Sequence, residues 1–289
     1  MRLAATGVEV DGSVFSPFGR AVLHLLGWMP SRLRDRLLFE VRGAAVVQKA
    51  VQRLIGGPRD VRVHFTAGPI RGSDFECSTA ERYFLVGARY EAAVAEMLRS
   101  ELQTADVVYD IGAHAGYSAL MFARVAGRVY AFEPSPFTFQ RLRQNIGLNH
   151  VGVVTAINAG VWDNETSLRL VEDGSYSRVV EGDVTDDVPV AEVRLLRLDD
   201  FVYRDGEAAA TFLKIDVEGN AARCLAGARQ LLRRSRPRVL LEVHDSIEER
   251  DCLAILAEYG YDACAVGVTG RYPCHLMAST SAVEASPIA

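Results

Sequence analysis

Short continuous apolar runs near 106–111, 128–133, 153–157, 211–217 and 238–243 read as buried strands. Between and after them, stretches near 117–126, 136–147, 220–234 and 247–259 carry apolar residues at helical spacing. This alternation predicts an α/β fold, a mostly parallel sheet with helices on both faces. A helix near 90–102 leads into it. Ahead of that helix, runs 61–65 and 70–77 flank Gly68-Pro69 and predict a hairpin. The insert 163–201 between the third and fourth strands carries β-like pieces at 167–171 and 192–198. Two further strands, 261–266 and 272–278, predict a closing antiparallel hairpin. From Ser279 the chain is small and polar, the composition of a frayed tail.

Residues 1–60 read as helical and stand apart. Pro30-Ser31 starts a helix with Ser31 as N-cap. Leu33, Leu37, Val41, Ala44, Val51 and Ile55 follow at helical spacing, with Arg32, Arg34, Arg36 and Arg53 among the other positions. Gly56-Gly57-Pro58 stops it. Two readings stay open. The helix covers the main domain or the partner in a homodimer, or residues 20–55 make a peripheral contact with a membrane surface. The expected organisation is a helical extension over 1–60, a hairpin and entry helix over 61–105, a core over 106–280 and a tail over 281–289.

Composition narrows the function. Of 289 residues, 49% are hydrophobic and 24% charged, as in a globular protein. The net charge of −5 comes without a basic stripe, so nucleic acid is not an expected partner. The charge is uneven: residues 1–60 carry +4 and the rest −9. Only Lys49 and Lys214 are lysines, which singles out Lys214 in a core strand. Five cysteines, an odd number without CxxC or zinc spacing, suit reduced thiols in a cytoplasmic protein. No apolar run reaches membrane-spanning length. Residues 21–29 resemble a signal core but are broken by His24.

The chemistry concentrates after the first core strand. Asp110-Ile111-Gly112-Ala113-His114-Ala115-Gly116 ends a strand, turns and opens a helix. Glycines allow close backbone approach to a ligand. Glu133 lies 17 residues past Gly116 at the end of the next strand, where an acid can accept hydrogen bonds from a ribose diol. Dinucleotide folds use G-x-G-x-x-G, and Gly112-x-x-x-Gly116 fails that pattern, which argues against an NAD-dependent oxidoreductase. No Gly-Lys-Ser/Thr phosphate loop occurs. Two acids around two glycines suit S-adenosylmethionine better. Its ammonium needs a carboxylate, its carboxylate needs backbone N–H groups, and its ribose needs Glu133.

The stretch from Tyr90 to His244 resembles the FkbM family of S-adenosylmethionine-dependent methyltransferases. The matching pieces, in the family's order, are DIGAHAGYSA (110–119), AFEPSP (131–136), LRQNIGLN (142–149), RLDDF (197–201), LKIDVEG (213–219), Gly227-Ala228 and RPRVLLEVH (236–244). The resemblance implies the class I methyltransferase fold, a Rossmann-like seven-stranded sheet whose last strand is antiparallel. It also implies methyl transfer to a hydroxyl of a sugar, cyclitol, glycolipid or other secondary metabolite. His114 stands where the family commonly has Asn. Asn220-Ala221-Ala222 lacks the acid usual just after DVEG. That second departure leaves a non-catalytic binding module as a further alternative.

Ligands of open α/β sheets bind beyond the carboxyl ends of the strands. Asp110, Gly112, His114 and Gly116 are therefore assigned to the cofactor's methionine end, Glu133 to its ribose, and Trp162 and Asp163 to its adenine. Trp162 as a core aromatic is the competing reading. His244, ending a strand beside Asp245, is the candidate base, against the simpler role of capping the next helix. Lys214 and Asp216, two apart, share a face. Lys214 reads as a structural ion partner, and Asp216 as a participant in catalysis. Tyr90, Arg178 and Glu218 are candidate acceptor contacts. No metal is expected, since Asp199-Asp200 on a strand would point to opposite faces.

Overall fold

The computed structural model describes residues 2–3, 6–30, 33, 44–81, 84, 87, 90–173, 176–180, 190–266 and 272–280. The expected helix start at Pro30-Ser31 lies at the edge of this set, and 34–43 fall outside it. The chain divides into two compact units, 1–96 with 143–150, and 97–142 with 151–289.

The first unit holds an antiparallel sheet of β1 (Arg2–Leu3), β2 (Val8–Val10), β3 (Asp60–Phe65) and β4 (Asp74–Ser78), in that order. Residues 1–60 are thus not helical throughout. The short apolar alternation Val8-Glu9-Val10 is a strand, because β3 offers it an edge. Val61, Val63, Phe65, Phe75 and Cys77 alternate inward. Two helices complete the unit, α1 (Pro17–Trp28) and α2 (Ala44–Leu54).

The chain continues through α3 (Ala92–Glu101) into the second unit. The elements follow as β5 (Val107–Ile111), α4 (Tyr117–Phe122), β6 (Arg128–Phe132), α5 (Pro136–Leu148, whose residues from Arg143 belong to the first unit), β7 (Val154–Ile157) and β8 (Gly160–Val161). Next come β9 (Thr166–Asp173), β10 (Tyr176–Val180), β11 (Val190–Leu196), α6 (Leu198–Tyr203) and β12 (Phe212–Ile215). The last are α7 (Ala221–Ala226), α8 (Arg229–Arg234), β13 (Arg238–Val243), α9 (Ser246–Glu258), β14 (Tyr261–Val266) and β15 (Cys274–Thr280).

Seven strands form one sheet in the order β14-β15-β13-β12-β5-β6-β7. All run parallel except β15, which is antiparallel to both neighbours. This is the class I methyltransferase fold. Its central strands are buried along their length, as expected where helices cover both faces. The order reverses between β12 and β5, which makes their carboxyl ends the place for a ligand. The insert folds into a second sheet, β10-β9-β11-β8.

Two expectations change locally. The helix over 220–234 is divided at Gly227, where a Cβ would stand 1.9 Å from the Trp162 carbonyl oxygen. Only a glycine fits that approach, and Asp199 caps the second piece, accepting from the N–H groups of Gln230 and Leu231 at 2.9 Å. Asp199 and Asp200 therefore lie in the first turn of α6, not on a strand. Among the described residues no helix is long and apolar enough to cross a membrane. All five cysteines are free.

Candidate active site

The carboxyl ends of β5, β6, β12 and β13 carry the expected acids. The loop after β5 needs left-handed backbone three times, at Gly112 (φ +80°), His114 (φ +48°) and Gly116 (φ +94°). His shares with Asn a tolerance of that region, which explains how His114 stands in a position where Asn is common. The loop is held from behind by Glu133. One carboxylate oxygen accepts the N–H of His114 at 3.0 Å and the other that of Ser135 at 2.9 Å. Asn158 Nδ2 donates to the Glu133 carbonyl at 2.9 Å and fixes the strand end. Burial pushes the His114 imidazole down to about 4, aided by Arg141 and Lys214, so it is neutral at pH 7.

Asp110 is fully buried. Its Oδ2 accepts from Ser118 Oγ at 2.7 Å, while Oδ1 has no hydrogen-bond partner and lies 3.6 Å from Lys214 Nζ. Lys214 stands opposite Asp110 in the ladder and reaches Asp216 at 3.1 Å. The core lysine is thus shared by two carboxylates, as its isolation in a strand required. Burial pushes both acids above the ordinary carboxylate range, against the pull of Lys214.

His244, the expected base, lies among three carboxylates. Its Nε2 lies 3.2 Å from Glu218 and 3.7 Å from Glu242, and its Nδ1 3.5 Å from Glu248. Pairing with the acceptor carboxylates of Glu218 and Glu248 pushes its pKa up to about 10. A group that keeps its proton at pH 7 is an imidazolium in an ion network, not a resting base. Asp216, whose carboxylate is 3.1 Å from Lys214, is the neighbouring acid of this network. Glu248 also accepts the N–H of Ala221 at 2.9 Å, so a carboxylate from α9 serves the start of α7 where Asn220-Ala221-Ala222 lacks its own. Glu242 is bonded across the sheet to His275, its ladder partner, at 3.0 Å. That pairing depends on the register of an antiparallel strand more than thirty residues on, and the local pattern gave no sign of it. Asp216, Glu218 and His244 each bring one ligand-type atom within 4.8 Å of the others, a set that could hold a metal ion only with His244 deprotonated.

Trp162 is not placed for stacking. It is 3% exposed and packs with Leu170, Val193 and Leu195 in a separate cluster, under the Arg223 guanidinium. Asp163 pairs with that same Arg223 at 2.6 Å. The backbone of Arg178 pairs with Val171 in the insert sheet, and its side chain lies outside the described set. Tyr90 belongs to the first unit, in the turn before α3. Glu218, left-handed at φ +48°, faces His244 as described.

These groups fit a cationic adenosyl ligand. Asp110, Glu133 and Asp216 make a set of carboxylate acceptors, and a buried carboxylate oxygen of Asp110 is without a hydrogen-bond partner.

A family model described as "Methyltransferase FkbM domain" matches residues 110–263, more than half of the chain. Hexuronic acid methyltransferase AglP of Haloferax volcanii is 26% identical over 186 residues, covering 63% of this chain and 74% of that protein. The 31-O-demethyl-FK506 methyltransferase FkbM of Streptomyces tacrolimicus is 29% identical over 177 residues, covering 50% and 68%. Among solved structures, a methyltransferase FkbM from Methylobacillus flagellatus KT has a TM-score of 0.46 and 21% identity. The match covers 61% of this chain and 44% of that one, so the chain spans less than half the length of that solved relative. The sequence motifs, the strand order and the family match agree: this chain belongs to the FkbM family of methyltransferases.

Proposed function

We propose that the chain transfers a methyl group from S-adenosylmethionine to a hydroxyl of a sugar, cyclitol, glycolipid or other secondary-metabolite acceptor. The observation that carries this reading is the gathering of Asp110, Glu133 and Asp216 at adjacent strand ends around the Gly112–Gly116 loop. S-adenosylmethionine supplies a methyl carbon already activated by its sulfonium. The protein then has to align an oxygen, exclude water and accept a proton.

In this reading Asp110 and the loop backbone hold the ammonium and carboxylate of the methionine end. Glu133 receives the ribose hydroxyls while keeping its grip on His114 N–H. Asp216 accepts the acceptor's proton. Burial shifts its pKa upward, the direction that strengthens it as a proton acceptor. Lys214 orients it. His244 remains cationic and holds Glu218 and Glu242 in place. The printed names of the two curated relatives, one acting on a hexuronic acid and one on a 31-O-demethyl compound, support a hydroxyl on an oxygen-rich acceptor. A cytoplasmic location and a homodimer remain part of the proposal.

The test is an assay with S-adenosylmethionine against a panel of uronic acids, cyclitols and glycolipids, read by mass spectrometry. One added methyl on an oxygen supports the reading. Cofactor binding with no transfer to any acceptor, by the wild-type chain, favours the binding-module alternative.

A further inference from the structure

Twelve large apolar side chains stand exposed among the described residues, and seven of them fall between residues 14 and 54. Helix α1 carries the most exposed. It starts at Pro17, with Ser16 Oγ accepting the N–H of Gly19 at 3.0 Å. At about 100° per residue, Phe18, Ala21, Leu25 and Trp28 fall within roughly 80° of one another. The opposite side buries Gly19, Leu23 and Gly27. Gly19 lies close to the Ile55 backbone, where a Cβ would stand 3.3 Å from Ile55 Cα. The helix therefore turns both of its glycines and Leu23 inward and leaves Phe18, Leu25 and Trp28 outward. Phe18 is 62% exposed, Leu25 72% and Trp28 81%.

Helix α2 adds to the same character. Val46 and Leu54 are exposed on it, and Lys49 and Arg53 share that outward side. Across residues 12–59 the sequence has eight Arg/Lys against two Asp/Glu, in a chain whose net charge is −5.

We infer that α1 docks on an anionic lipid membrane, with Phe18, Leu25 and Trp28 entering the headgroup region and Lys49 and Arg53 of α2 supplying positive charge for lipid phosphates. An apolar strip beside positive charge matches both properties of such a surface. Trp28, at the end of the helix, suits headgroup depth. A second copy of the chain is the poorer occupant. A two-fold contact through this face sets the same basic residues of both copies against each other. The inference concerns where the chain sits and does not depend on methyl transfer.

The full chain is incubated with phosphatidylcholine vesicles, with and without phosphatidylglycerol, and sedimented. Trp28 reports as well, since the other tryptophan, Trp162, is buried. The expected result is binding to the anionic vesicles only, weakened by salt, with a blue shift of tryptophan emission. The exposed double variant Leu25→Ser with Trp28→Ser melts as the parent does and partitions at least about tenfold more weakly. Failure of the parent to bind anionic vesicles overturns the inference. So does a double variant that binds like the parent. A dimer in ultracentrifugation that the double variant dissociates, without vesicle binding, overturns it in favour of a second copy.

Discussion

Gly112 and Asp216 touch through their backbones: a Cβ on Gly112 would stand 1.8 Å from the Asp216 carbonyl oxygen. The first glycine of the loop is therefore fixed by strand packing as well as by ligand approach. Gly112→Ala meets both this clash and the cost of φ +80° for an L residue. Loss of about 3 kcal/mol or more is expected in chemical denaturation, or no soluble protein. Gly152→Ala has open space around it and should change stability by less than about 0.5 kcal/mol. Equal behaviour of the two variants contradicts the contact.

Lys214→Met removes the ammonium that Asp110 and Asp216 share. Breaking a buried pair from one side costs about 3–5 kcal/mol. Both acids already have raised pKa values in the fold, so their charged forms are a native-state penalty. That penalty is present above the unfolded carboxylate pKa of about 3.9 and disappears below it. The stability gap between parent and variant should narrow as pH falls from 8 to 4. A gap independent of pH argues against the shared lysine.

His244 provides a pH test. Its folded pKa is raised to about 10, above the unfolded value of about 6.5. The stability it contributes is fully present below about pH 6.5 and is lost as pH rises through 10. His244→Ala should flatten this decline in a series of melts. An NMR titration that finds His244 deprotonated at pH 7 returns it to the role of base.

Trp162 separates a core residue from a ligand contact. Trp162→Ala should cost about 3–5 kcal/mol in stability. The folded fraction should bind S-adenosylmethionine as the parent does. A selective loss of affinity without loss of stability restores the stacking role.

The parallel core was legible because its strands are continuous apolar runs and its helices amphipathic. The seven-stranded sheet with an antiparallel last strand came from the resemblance, and register decided what the motifs do. In LRQNIGLN, Asn145 and Asn149 each bond the backbone of β4, at Glu76 and Asp74. In RLDDF, Asp199 caps α8 from another element. Neither partner is near in sequence. The same limit applies to His275 and Glu248, whose importance rests on ladder pairing and on a helix packed against a strand end. The N-terminal strands were hidden because two or three residues carry little periodicity until β3 gives them a partner.

The most direct measurement is calorimetric titration of S-adenosylmethionine into the purified chain and into Glu133→Ala, with the melting curve of each recorded. The parent should bind at a single site. The variant should lose about 1–3 kcal/mol of binding free energy, the worth of charge-assisted hydrogen bonds to one carboxylate, while remaining folded. No binding by the parent, or identical affinity in the two proteins, contradicts the account.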